Sequence, residues 1–199
     1  ERITTMQSSP IRKLAHIASS AKAKGIKIYH LNIGQPYIKT PKVFFEAVKN
    51  FNNEVLEYAV SPGLPELISS LQQYYTTYNM DFESDEILVT NGGSEALLFA
   101  LMATCDPKDN ILVPEPFYSN YNGFSQSINV NITPITTKAE EGFHLPSKEK
   151  IQSLITSKTK VILISNPGNP TGTVYTKKEL YMISEIAKEN DLWIISDEV

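Results

Sequence analysis

The sequence predicts an α/β protein whose mainly parallel sheet lies between two layers of helices. Three observations carry this. Short apolar runs alternate with amphipathic stretches from residue 86 onward, the rhythm of a sheet whose strands are joined by helices. The run Val161–Ile164 is apolar throughout, as expected of a strand buried on both faces. It then stops in Ser165-Asn166 and a turn holding two Asn-Pro pairs and two glycines, residues that break a ladder. No internal repeat, low-complexity tract or linker interrupts the pattern.

Taken in order, residues 11–24 read as a helix, with Ser9-Pro10 as cap and first turn. Ile28–Ile33 reads as a short extended piece running into Gly34-Gln-Pro36. Pro41–Phe51 reads as a helix with Val43, Phe44, Ala47 and Val48 on one face. Tyr58–Gly63 is a loop with two breakers, and Leu64–Tyr78 a further helix. The alternation then begins. Strands are expected at Glu86–Thr90, Asn110–Val113, Asn129–Pro134, Lys160–Ile164 and Leu192–Ser196. Helices are expected at Ser94–Ala103, about Tyr118–Ser125, Ser147–Ile155 and Lys177–Glu189.

The totals exclude several classes of function. The 199 residues are 41% hydrophobic and 20% charged, and a chain of this length can bury about 70% of its unfolded surface. A formal net charge of -4 gives no basic bias toward nucleic acid. No apolar run approaches the roughly 20 residues of a membrane helix, and no signal-peptide core is visible. The single Cys105 rules out an internal disulfide and fits a reducing compartment, so a cytoplasmic location is expected. Asn131-Ile-Thr133 matches a glycosylation sequon, taken as chance without a secretion signal. His16, His30 and His144 lack metal-ligand spacing, and no metal is expected. The chain starts at Glu1 and stops at Val199 after a strand-like run, so it is expected to be the front part of a longer protein.

Ligands of open parallel sheets sit beyond the carboxyl ends of the strands, so each strand end is a candidate. The first delivers Asn91-Gly-Gly-Ser-Glu95, where glycines opening a helix leave N–H groups free for an anion. Alone, this reads equally well as a plain helix start. The second delivers Pro114-Glu-Pro-Phe-Tyr-Ser-Asn-Tyr121, an aromatic cluster able to stack a flat ring or simply to pack a core. The fourth delivers Asn169, an amide on a Pro-stiffened turn. The last delivers Asp197, expected to be buried and therefore to need a cationic partner. Together these describe a holder for a phosphorylated aromatic ring. A protonated pyridine nitrogen would be the partner of Asp197, the arrangement that makes pyridoxal phosphate an electron sink.

At this point the sequence resembles the class I/II aminotransferases, the aspartate-aminotransferase-like branch of fold-type I pyridoxal-phosphate enzymes. The resemblance covers essentially the whole chain. Its strongest motifs are Asn166-Pro-Gly-Asn-Pro-Thr-Gly172 and Ser196-Asp-Glu-Val199. It implies the three-layer α/β/α large domain of that fold, incomplete here. Residues 1–45 would be an N-terminal arm and the first segment of a small domain, and 46–199 the first part of the cofactor-binding large domain. It implies that Gly92 sets a turn from which Gly93 and Ser94 bind the cofactor phosphate. Tyr118 would stack on the ring, in preference to Phe117. Asn169 would donate to the ring's phenolic oxygen, Asp197 would pair with its nitrogen, and Val199 would pack on the opposite face. Gly34 resembles the glycine lining the substrate carboxylate site. Tyr58 resembles the tyrosine that reaches the phosphate of the neighbouring subunit, which implies a homodimer.

The implied activity is ping-pong, Schiff-base transfer of an amino group between an amino acid and a 2-oxo acid. Asp197 and Asn169 are the catalytic groups expected in this part. The family's Schiff-base lysine and two arginines lie downstream of its ring aspartate, so the fragment by itself is expected to be inactive. Lys160, Lys177 and Lys178 precede a strand or open a helix and are not nominated as substitutes. Rivals on the same scaffold are a β-lyase, a decarboxylase or a cyclopropane-carboxylate synthase, which this half does not separate. A non-catalytic regulator domain would need a basic, winged-helix segment upstream. Loss of cofactor binding is opposed by the retained Asn169, Asp197 and glycine cradle. The substrate pair stays open.

Overall fold

The computed structural model of the chain describes residues 14–31, 34 and 36–199. Ser9-Pro10 and residues 11–13 of the first expected helix lie outside the described residues, as do Asn32, Ile33 and Gln35. The described residues divide into two compact units, Leu14–Thr90 and Asn91–Val199.

The first unit is helical. It contains α1 (Ala15–Ala23), α2 (Lys42–Lys49) and α3 (Pro65–Thr76). Pro65 opens α3 where its missing N–H removes no helical bond. Residues 28–31 form no strand. The strand expected at Glu86–Thr90 is corrected. Ser84–Glu86 is a 3-10 turn, closed by reciprocal capping between Glu83 and Glu86. Residues 87–90 join no ladder among the described residues. One link to the rest of this unit is the Val89 N–H, which donates to the Pro62 carbonyl at 2.8 Å.

The second unit is a three-layer α/β/α sandwich. Its strands are β1 (Asn110–Glu115), β2 (Asn131–Thr136), β3 (Thr159–Ser165) and β4 (Trp193–Asp197). They run all parallel in the order β2-β1-β3-β4. The helices are α4 (Gly93–Thr104), α5 (Asn120–Ser127), α6 (Lys148–Gln152) and α7 (Lys177–Glu189). Side chains alternate across the strands, so each strand feeds both faces. Ile111, Val113, Val161 and Leu163 pack with α4 and α5. Leu112, Ile135, Ile162 and Ile164 pack with α6 and α7. The expectation of strands buried on both faces holds for β1 and β3, the two inner ones.

Small departures have local causes. β2 starts at Asn131 rather than Asn129, because Asn129 takes a left-handed turn conformation with φ 62°. α6 ends at Gln152, yet Leu154 and Ile155 still pack against the core it helps to build. α7 matches its expected span, opened by a capping box between Thr176 and Glu179.

The strand order positions a site. The chain leaves β1 for α5 on one face and leaves β3 for α7 on the other. Adjacent strands whose following helices diverge open a crevice at their carboxyl ends, the topological switch point of such sheets.

Candidate active site

A cavity of about 250 Å³ opens at those strand ends, lined by Gly93, Ser94, Tyr118, Asn169, Asp197 and Val199, with Ser165 and Leu97 completing the wall. Six of the residues singled out from the sequence therefore surround one space. Gly92 precedes it at the helix entrance. Gly34 and Tyr58 belong to the other unit, where Tyr58 is fully exposed.

The anion-facing wall comes from α4. Gly92 has φ 85° and ψ 169°, a conformation open to glycine and strained for a side chain. It turns the chain so that the first helical N–H groups, which have no acceptor inside a helix, belong to residues bordering the cavity. Glu95 reaches back to accept the Asn91 N–H at 2.6 Å, closing the turn. A Cβ on Gly93 would stand 3.4 Å from Val199 Cγ2, in van der Waals contact with it.

The aromatic wall follows β1. Tyr118 borders the cavity, and its hydroxyl accepts from Asn120 Nδ2 at 2.7 Å, which fixes the ring. Phe117 instead stacks near Tyr121 at 6.1 Å and faces a separate small pocket.

The polar wall comes from β3 and β4. The register sets Ser165 beside Asp197. The Asn166 N–H donates to the Asp197 carbonyl at 2.9 Å, tying the Asn169 turn to β4. Asp197 itself requires a correction. It is half-buried rather than buried, and among the described residues it has no ion pair. Its charge is held by neutral donors. The Tyr121 hydroxyl donates to Oδ2 at 2.6 Å, and the Val199 N–H reaches Oδ1 at 3.3 Å. Hydrogen bonding stabilises a carboxylate without a cation, so the argument that burial alone demands one is too strong.

Tyr121 and Ser165 are the residues that sequence reasoning assigned no role. Tyr121 is 1% exposed, on α5. Burial, then the hydrogen bond and charge of Asp197, push its phenol well above the ordinary value, with the Ser165 hydroxyl opposing. It stays a donor at any physiological pH. A signal was present: residues three apart near a helix start share a face, which groups Tyr121 with Tyr118. Ser165 was visible only as a polar residue following the apolar run Val161–Ile164.

The chemistry of the donor set fits pyridoxal phosphate. Free helix-start amides suit its phosphate, an aromatic face suits its ring, and an anchored carboxylate beside an amide suits its nitrogen and oxygen edges. Among the described residues, no lysine lines the cavity. No helix among the described residues is long and apolar enough to cross a membrane.

Comparison with known proteins bears on the same features. The family model "Aminotransferase class I and II" matches residues 26–199. A probable aspartate aminotransferase of Methanocaldococcus jannaschii is 35% identical over the whole chain, which covers 51% of that relative. An asparagine–oxo-acid transaminase of Streptococcus mutans is 31% identical, with 51% of its length covered. Among solved structures, Thermus thermophilus aspartate aminotransferase with maleate superposes on the whole chain with TM-score 0.91 at 30% identity, over 52% of its own length. The Thermotoga maritima aspartate aminotransferase gives 0.93 at 32%, over 53%. The chain thus spans about half the length of the relatives it matches. With its sheet order, its crevice and this match over most of its length, the chain belongs to the class I and II aminotransferase family.

Proposed function

We propose that the whole protein is a pyridoxal-phosphate-dependent aminotransferase that moves an amino group between an amino acid and a 2-oxo acid. The observation that carries this is the convergence of Asp197, Asn169, Tyr118 and the Gly93–Ser94 helix start on one cavity. When bound, the cofactor supplies an electron sink for the substrate's Cα. The residues here hold and tune it. Gly93 and Ser94 anchor the phosphate, Tyr118 and Val199 sandwich the ring, Asn169 donates to its oxygen, and Asp197 keeps its nitrogen protonated. Tyr121 orients Asp197 through its hydroxyl hydrogen bond to Oδ2.

The reading takes the Schiff-base lysine from outside these residues. It makes this stretch inactive alone. It assigns Gly34 to the substrate carboxylate site and the exposed Tyr58 to the phosphate of a second copy in a homodimer. A cytoplasmic location belongs to the same reading. Most of the similar proteins named above are aspartate aminotransferases, so aspartate is the first donor to assay.

The test uses the full-length protein. It should bind pyridoxal phosphate with an absorbance band near the visible edge, which shifts when amino acid is added. Asp197→Ala should lower turnover by at least roughly a hundredfold while the fold survives. No band in the wild type, or near-normal single-turnover transfer in Asp197→Ala, would reject the assignment.

A further inference from the structure

The Asn169 turn is exposed at its tip and fixed at its neck. Inside the turn, the Gly168 N–H donates to the Thr173 carbonyl and the Gly172 N–H to the Gly168 carbonyl, both at 2.7 Å. The Tyr175 N–H closes the neck on Asn166 Oδ1 at 3.0 Å. A Cβ on Gly168 would meet Thr171 Oγ1 at 2.6 Å, so the tip is already filled. These bonds shape the turn but do not hold it against the rest of the unit.

Two bonds do that. At the β3 side, the Asn166 N–H is held by the Asp197 carbonyl. At the other side stands Thr173, whose side chain is the buried polar group of the turn. Its hydroxyl does not turn back locally. It donates to the Gly142 carbonyl, 31 residues earlier, at 2.9 Å.

Gly142 is a firm post. Its φ of 65° closes a 3-10 turn, and the Phe143 N–H returns to the Lys138 carbonyl at 2.8 Å. Two and three residues on, the His144 ring and the Leu145 N–H are both held by the Glu179 carboxylate of α7. The loop that Thr173 grips is therefore itself pinned to the helix that follows the turn.

We infer that Thr173 is a positioning residue for Asn169, anchoring the far side of the ring-facing turn to the Gly142 carbonyl. A buried hydroxyl that finds its acceptor on a separate, braced loop converts a flexible turn into a fixed one. The amide at the tip then meets its ligand already oriented, which lowers the entropy lost on binding. This rests on the functional reading above.

The experiment titrates pyridoxal phosphate into the cofactor-free full-length protein, following absorbance, for five variants: wild type, Thr173→Val, Thr173→Ser, Asn169→Ala and the Thr173→Val/Asn169→Ala double. Loss of one neutral hydrogen bond predicts roughly three- to tenfold weaker binding in Thr173→Val. Thr173→Ser should restore it, and Thr173→Val should add nothing once Asn169 is gone. Wild-type affinity in Thr173→Val, or an equal loss with and without Asn169, overturns the inference. Should Thr173→Val fail to fold, Thr173→Ala takes its place in the same cycle. Failure of the wild type to bind pyridoxal phosphate would instead reject the functional reading, so the two failures are distinguishable.

Discussion

The two units show the same amphipathic patterning and reach different results. In Leu14–Thr90, α2 carries Val43, Phe44, Phe45 and Val48 on eight residues, yet each is 57–69% exposed. Ile68 is the one hydrophobic residue of that unit that is buried among the described residues. In Asn91–Val199, Ile151, Ile183 and Ile186 reach 0–1% exposure from helices no more amphipathic in design. The difference is the sheet. A helix stripe is buried only when something flat or grooved receives it, and β1 and β3 offer apolar side chains on both faces. Patterning states which side of a helix wants burial; it does not provide the partner.

This comparison can be broken directly. In the 199-residue chain, Ile162→Ala removes a fully buried side chain and should destabilise by about 2–5 kcal/mol. Phe44→Ala, on the exposed stripe, should stay within about 0.5 kcal/mol. Urea unfolding with an unchanged slope measures both. Equal losses would mean that the α2 stripe is covered after all.

A second test asks whether the core of the sandwich is also the wall of the site. Tyr121 belongs to both, packing with β1 and donating to Asp197. Tyr121→Phe keeps the packing and deletes the donor. Because Asp197 is half-exposed, water can replace part of the lost bond, so the stability loss should be about 1 kcal/mol. Pyridoxal phosphate affinity in the full-length protein should fall by roughly tenfold, read by absorbance titration. An unchanged affinity would separate the core from the site.

The smallest effect is expected at Glu179. Burial raises its carboxyl's pKa, but the Thr176 hydroxyl and amide, the Leu145 amide and the His144 ring outweigh this and leave it lowered. A carboxyl depressed in the folded state stabilises above its unfolded pKa of about 4.3, and that contribution fades as pH falls through the folded value. The melting-temperature gap between wild type and Glu179→Gln should therefore be present at about pH 7 and shrink at about pH 3. A gap that grows toward acid would reverse the sign assigned here.

Much of the molecule was legible beforehand. The span of α7 followed from its helical period, and the inner strands from their unbroken apolar runs. Asn169, Asp197 and Tyr118 were readable as strand-end chemistry, because a parallel sheet must deliver its loops to one edge. The Gly93–Ser94 start was readable as a glycine-opened helix, although the strand expected before it joins no ladder among the described residues. The strand at Glu86–Thr90 was misread for an equally physical reason. An apolar run becomes a strand only beside another strand, and the capped turn Ser84–Glu86 takes its first residue, Glu86.

By itself the sequence determined the kind of element formed by most stretches of the second unit, and the residue types gathered at its strand ends. Those follow from local sterics and from hydrophobic period, which act over a few residues. Only the tertiary structure decided that Asp197 is held by Tyr121, 76 residues away, and that Thr173 grips Gly142. Contacts of that reach depend on strand order and register, which bring distant side chains within hydrogen-bond distance and leave no mark in the local pattern.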